Sequence, residues 1–173
     1  METYVRDELM PKVDGNNKAL VYIQSAKDCY KMAQTYKNSG FFISDYNESY
    51  IEDKAGVKVY IADVMKESGI KDFIIEEEKL PDDIDILFMN ASAREGMNLK
   101  DENIKYIVVV ASDTLTIQQV IGRQRGDLKE ITIFAGYRYQ TMIRNELEKY
   151  KKFIEELPED EVLQIQYLTE YRN

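Results

Sequence analysis

Histidine is absent from this 173-residue chain, and cysteine occurs once, as Cys29. Without histidine, imidazole acid–base catalysis is excluded and a structural zinc site lacks ligands. A single cysteine excludes an internal disulfide. Long apolar runs are lacking too. The longest, Tyr106 to Ala111, falls far short of the roughly 20 residues that a membrane helix needs. The N-terminal stretch METYVRDELMPK has no apolar core of the kind a secretory signal carries. The expectation is a cytoplasmic protein with no membrane partner, in which the sequons at Asn47 and Asn90 are chance. No glycine is followed by lysine, so the Gly-x-x-x-x-Gly-Lys-Ser/Thr loop that cradles nucleotide phosphates is missing.

What is present describes a folding domain. Hydrophobic residues at 44% and charged residues at 32% suit a globular chain, because a disordered one lacks the apolar surface to offset ordering entropy. The length fits one compact domain. A net charge of -9 repels a polyanion at long range, so any affinity for nucleic acid must be local or shared with another domain.

From Lys18 onward, short β-branched or aromatic runs alternate with amphipathic stretches, the pattern of βαβ units and a parallel sheet. ALVYIQ (19 to 24) reads as a strand. The helix after it begins with Ser25 and Asp28 at capping-box spacing, and Gly40 is expected to stop it. FFISDY (41 to 46) is a second strand, followed by a helix near Lys58 to Ser68 and a turn-rich connection, DFIIEEEKLPDD. DILFMN (85 to 90) and KYIVVVA (105 to 111) are further strands, the latter expected as a central strand buried on both faces. The spacing predicts a helix over Thr114 to Gln124, with Ile117, Val120 and Ile121 toward the core and Gln119 and Arg123 on another face. EITIFA (130 to 135) closes the sheet, and Glu-, Lys- and Tyr-rich helices follow Gly136. Residues 1–17 are expected as a linker or extension, 18–136 as the α/β domain and 137–173 as a helical tail. Ligands of open parallel sheets gather beyond the C-terminal ends of the strands. Ser25, the loop from Asn90 to Asn98 and the segment 112 to 125 are therefore expected on one rim.

Three of these segments, in order, carry a resemblance that covers roughly residues 18 to 136. KALVYIQSAKD, ILFMNASAREGMNLKD and QQVIGRQR resemble successive motifs of the second, C-terminal RecA-like domain of superfamily 2 helicases and translocases. The resemblance implies a three-layer RecA-like domain with a mostly parallel central sheet. It implies that Gly96 and Asn98 approach the nucleotide, that Ser25 and Asn90 lie toward a DNA or RNA strand, and that Arg94 works in the strand groove or in the interdomain contact. The family's threonine is replaced by Asn90, with Ala91 after it. Arg123 and Arg125 would reach the γ-phosphate of an ATP, with Gln119 orienting the finger or the attacking water. Arginine suits that role because its planar fork stays charged and pairs with phosphate oxygens. The chain has Gly-Arg-x-Arg where many members have Gly-Arg-x-x-Arg, which turns the second side chain by roughly 100° on a helix. Which arginine is the finger stays open.

The same resemblance implies that ATP and Mg2+ are held mainly by an N-terminal RecA-like domain of the same polypeptide, of which this chain is then a fragment, inactive alone. Neither Asp7–Glu8 nor Asp101–Glu102, expected in a polar loop, reads as a magnesium-binding pair. The rival reading is a stand-alone, non-catalytic domain binding a nucleotide or a partner. Bland readings accompany each residue: Arg123 as a surface helix residue, Gly96 as a turn, Ser25 as an N-cap alone. Cys29 reads as inert packing, and Tyr22, Tyr60 and Tyr106 as core or core edge.

Overall fold

The computed structural model of the chain describes residues 1–90, 99–111, 114–124, 126–134 and 148. The chain divides into two units, Met1–Ala135 and Gly136–Asn173, and the architecture below is that of the first.

Helix α1 (Glu2–Tyr4) runs into a π-helical turn (Val5–Leu9) and a 3-10 turn (Met10–Lys12). Strand β1 (Lys18–Ile23), helix α2 (Ala26–Thr35) and strand β2 (Ser39–Phe42) follow. A hairpin of β3 (Tyr50–Glu52) and β4 (Lys58–Tyr60) comes next, then α3 (Ile61–Ser68) and α4 (Ile70–Glu77). Strands β5 (Ile86–Met89) and β6 (Ile104–Val110), helix α5 (Thr114–Ile121) and strand β7 (Glu130–Phe134) complete the unit.

The sheet is five-stranded in the order β2-β5-β1-β6-β7, and every neighbouring pair is parallel. β1 is buried at all its positions, because helices cover both faces, as an all-parallel sheet requires. Its side chains divide between two cores. Ala19, Val21 and Ile23 pack with Cys29 and Met32 of α2, Ile61 and Met65 of α3, and Val5 and Leu9. Leu20 and Tyr22 pack on the other face with Ile74 of α4 and Val120 of α5. The result is a three-layer arrangement of the α/β class expected from the alternating pattern. Each apolar side chain fully buried this way stabilises the fold by roughly 1.5–3 kcal/mol.

β6 is the interior strand expected, between β1 and β7 with Ile107, Val108 and Val109 buried. Several other local expectations are corrected. Gly40 does not stop α2 but lies within β2, where a Cβ would come within 2.8 Å of Ile84 Cδ1 and 3.0 Å of Ile70 Cδ1. Glycine is there for close approach, not for a helix cap. The left-handed position of that turn belongs to Asn38 (φ 55°), whose Nδ2 donates to Asp85 Oδ2 at 3.0 Å. The stretch read as a turn-rich connection forms most of α4, whose Phe73 N–H bonds Gly69 O. Gly69 (φ 68°) breaks α3 from α4 at a conformation costly for other residues.

The N-terminal residues do more than extend the domain. Val5 and Leu9 are fully buried, and Tyr4 Oη donates to Glu130 Oε1 at 3.0 Å, lies 2.8 Å from Thr132 Oγ1, and its ring packs edge-on against Phe134. Lys12 forms an ion pair with Glu130 at 2.8 Å. This segment thus covers one face of the edge strand β7.

Candidate functional site

β1 and β6 are neighbours, but their connections leave in opposite directions, toward β2 through α2 and toward β7 through α5. In open α/β sheets, such a reversal opens a crevice at the C-terminal strand ends, where ligands bind. Ser25 follows β1 at that end. Its Oγ accepts from Asp28 N at 3.2 Å, the expected N-cap, which satisfies one of the free amides of the first turn. Cys29, one turn along, is buried, and burial pushes its thiol up to about 12, so it stays an unreactive packing group. Asn90 follows β5, the strand beside β2, at the same end of the sheet. It is buried, and its N–H donates to Phe42 O at 3.3 Å. Ser25 and Asn90 therefore share the C-terminal rim.

Arg123 does not. Helix α5 starts at the rim after β6, runs antiparallel to the strands for about 12 Å at 1.5 Å per residue, and ends at Ile121. Gly122 N still bonds back four residues to Gln118 O at 2.9 Å, but Arg123 N and Gln124 N bond back only three, at 3.3 Å each. The helix tightens and stops before Arg123, so Gln119 and Arg123 do not sit on one continuous helical face, and the expected helix to Gln124 is too long. Thr116 and Val120 are buried, Gln119 half-buried and Gln118 exposed. The expectation that 112 to 125 meets Ser25 on one rim is corrected: the Gly-Arg end lies near the N-terminal ends of the strands.

What meets it there is the segment that leads into β6, from Leu99 to Asp101. Leu99 N donates to Arg123 O at 3.3 Å, and Leu99 and Gln124 form a parallel bridge. Gln124 is buried, and its Nε2 donates to Asp101 O at 2.8 Å. Asp101, expected in a polar loop, is buried as well. Its Oδ2 accepts from Leu80 N at 3.1 Å and its Oδ1 from Asn103 N at 2.9 Å. Lys18 is buried beside it, with Nζ donating to Leu80 O at 3.3 Å and Pro81 O at 2.7 Å. No local signal marks Asp101 or Lys18 as interior; the tertiary fold alone buries them. A Cβ at Gly126 would come within 2.8 Å of Gln124 Nε2, so a larger residue there would displace the end of that side chain.

No family model matches the chain, and no curated protein matches its sequence. Among solved structures, the chain is similar to the crystal structure of the Pyrococcus furiosus Hef helicase domain. The identity is 15% and the TM-score 0.46, over 83% of this chain and 27% of that one. The chain thus spans about a quarter of that structure's length. Likeness at this level says nothing of which residues act, so function rests on the residues themselves.

Arg94, Gly96, Asn98 and Arg125 lie outside the described residues. Among the described residues no group of three or more acidic, histidine or cysteine side chains is placed to hold a metal, and no helix is long and apolar enough to cross a membrane. Of the tyrosines expected at core or core edge, Tyr22 is buried and Tyr106 half-buried, but Tyr60 is 46% exposed.

Proposed function

We propose that this chain is the second motor domain of an ATP-dependent nucleic-acid helicase or translocase. The carrying observation is the bond from Leu99 N to Arg123 O. It ties the segment just after Gly96 and Asn98 to the GRQR stretch, two motifs that the family uses on one nucleotide but that stand 25 residues apart at Leu99 and Gln124. The corner gives Arg123 a rigid backbone platform, because its neighbours Leu99, Gln124 and Asp101 are buried.

In this reading, an N-terminal RecA-like domain of the same polypeptide holds ATP and Mg2+, and the magnesium supplies charge neutralisation on the phosphates. Gly96 and Asn98 border the nucleotide, Arg123 and Arg125 meet the developing charge on the γ-phosphate, and Gln119 orients an arginine or water. Ser25, Asn90 and Arg94 line the path of a DNA or RNA strand. The separation of rim from corner supports this division, since strand and nucleotide would then occupy different surfaces.

The test is Arg123→Ala in the polypeptide that carries both domains. ATP hydrolysis is expected to fall by about 10³–10⁵-fold, the range for loss of an arginine finger, with ATP affinity changed by no more than about threefold. Normal turnover would overturn the assignment.

A further inference from the structure

The hairpin that sequence reading missed brings four side chains together at the rim. β3 and β4 pair with Tyr50 opposite Tyr60 and Glu52 opposite Lys58, so all four project from one face of the ribbon. The Tyr50 and Tyr60 rings meet edge-on at 6.2 Å. Lys58 Nζ stands 4.3 Å from the centre of the Tyr50 ring, and Lys27 Nζ, from the first turn of α2, stands 5.0 Å from it. Both lysines are exposed, and neither forms an ion pair among the described residues, although Glu52 is the cross-strand neighbour of Lys58. Two ammonium groups are thus held about one aromatic ring on a chain of net charge -9.

Mutual repulsion opposes that arrangement. The ring's quadrupole offsets it by about 0.5–1 kcal/mol per exposed contact, so the tyrosine fixes both cations without neutralising either. An anion gains most where charges are already assembled and unpaired. Lys27 also sits two residues after Ser25, beside the first-turn amides of α2. Tyr60, 46% exposed at the end of the ribbon, offers a ring next to those charges. Phosphates spaced along a chain of stackable bases match cations interleaved with an exposed ring; an acidic peptide would use the cations and leave the ring idle.

We infer that Lys27, Lys58 and Tyr60, braced by Tyr50, form a binding patch for single-stranded nucleic acid, with the lysines on phosphates and Tyr60 under a base. The patch rests on the motor-domain reading and extends its strand path from Ser25 onto the hairpin.

The experiment is fluorescence-anisotropy binding of a labelled 20-nucleotide oligothymidylate to the 173-residue chain across a salt series. Lys27→Gln and Lys58→Gln are each expected to weaken binding several-fold and to lower the slope of log affinity against log salt by about 0.7, the value for one phosphate on a single strand. Tyr60→Leu is expected to weaken binding about fivefold or more without changing the slope. Tyr50→Leu keeps both charges, so it is expected to lower the melting temperature and leave the slope unchanged. A purely structural role for the lysines would move melting and not slope.

Lys37→Ala, an exposed lysine before β2 at the other end of the strands, controls for net charge. An effect there equal to that of Lys27 or Lys58 would overturn the patch. So would undetectable binding by the unmodified chain at low salt, unchanged slopes in both glutamine variants, or equal competition by polyglutamate. If the glutamine variants bind like the unmodified chain, the patch fails and the motor reading stands. If they lose binding while Arg123→Ala keeps ATP turnover, the motor reading fails and the patch stands.

Discussion

The rim and the corner of this domain use the same kinds of residue in opposite ways. At the corner, Lys18 is 2% exposed and spends its ammonium protons on the carbonyls of Leu80 and Pro81, while Asp101 spends its carboxylate on two backbone amides. At the rim, Lys27 and Lys58 are exposed over a ring, and Ser25 makes a single capping bond. Polar groups turned inward give the corner one fixed geometry, because each lost bond leaves a buried group unsatisfied. Polar groups turned outward leave the rim able to exchange water for a ligand. A backbone that must aim an arginine needs the first kind of surface; a surface that tracks a sliding strand needs the second.

The sharpest way to break this comparison is Asp101→Ala. It strips the buried Leu80 N–H of its acceptor and removes that of the exposed Asn103 N–H, so a loss of roughly 2 kcal/mol is expected in urea unfolding. A loss below about 1 kcal/mol would mean that the corner is not rigidly held. Ser25→Ala, the matching rim change, should cost only about 1 kcal/mol, the usual value of an N-cap. Were it to cost as much as Asp101→Ala, the contrast between the regions would vanish.

The smallest effect concerns the strap of N-terminal residues over β7. Lys12 above all, with Tyr4, holds the Glu130 carboxyl below its ordinary value, against the upward push of partial burial. A depressed carboxyl contributes stability that is whole above the unfolded value of roughly 4.3 and is lost as pH falls through the lower folded value. Thermal melting should therefore show a shallow acid limb that Glu130→Gln flattens. An identical pH profile in the variant would remove that group from the account.

Much of this was legible in the sequence where periodicity is strong. The buried run of β1, the Ser25–Asp28 cap, β5 and β6 all follow from apolar patterning and capping chemistry. Patterning failed where three-dimensional neighbours decide. Gly40 reads as a helix stop because glycine commonly ends helices, yet it serves a close approach by Ile84 and Ile70. The hairpin is short, and its turn is set by Asp53, whose Oδ1 accepts from Ala55 N and Val57 N at 2.8 Å each, with Gly56 at φ 77°. Alternation over three residues a side is too brief to read as strands. The link from Leu99 to Gln124 was invisible because parallel bridging across a loop leaves no local pattern. The shared-rim expectation overlooked that a helix starting at the rim must end an axial length away from it.

The most direct measurement follows two quantities in one variant of the two-domain polypeptide: oligonucleotide affinity and ATP turnover with Arg123→Ala. If corner and rim are separate working surfaces, turnover collapses by at least about 10³-fold while the oligonucleotide dissociation constant stays within about twofold. Turnover left intact, or affinity lost in step with it, would contradict the account.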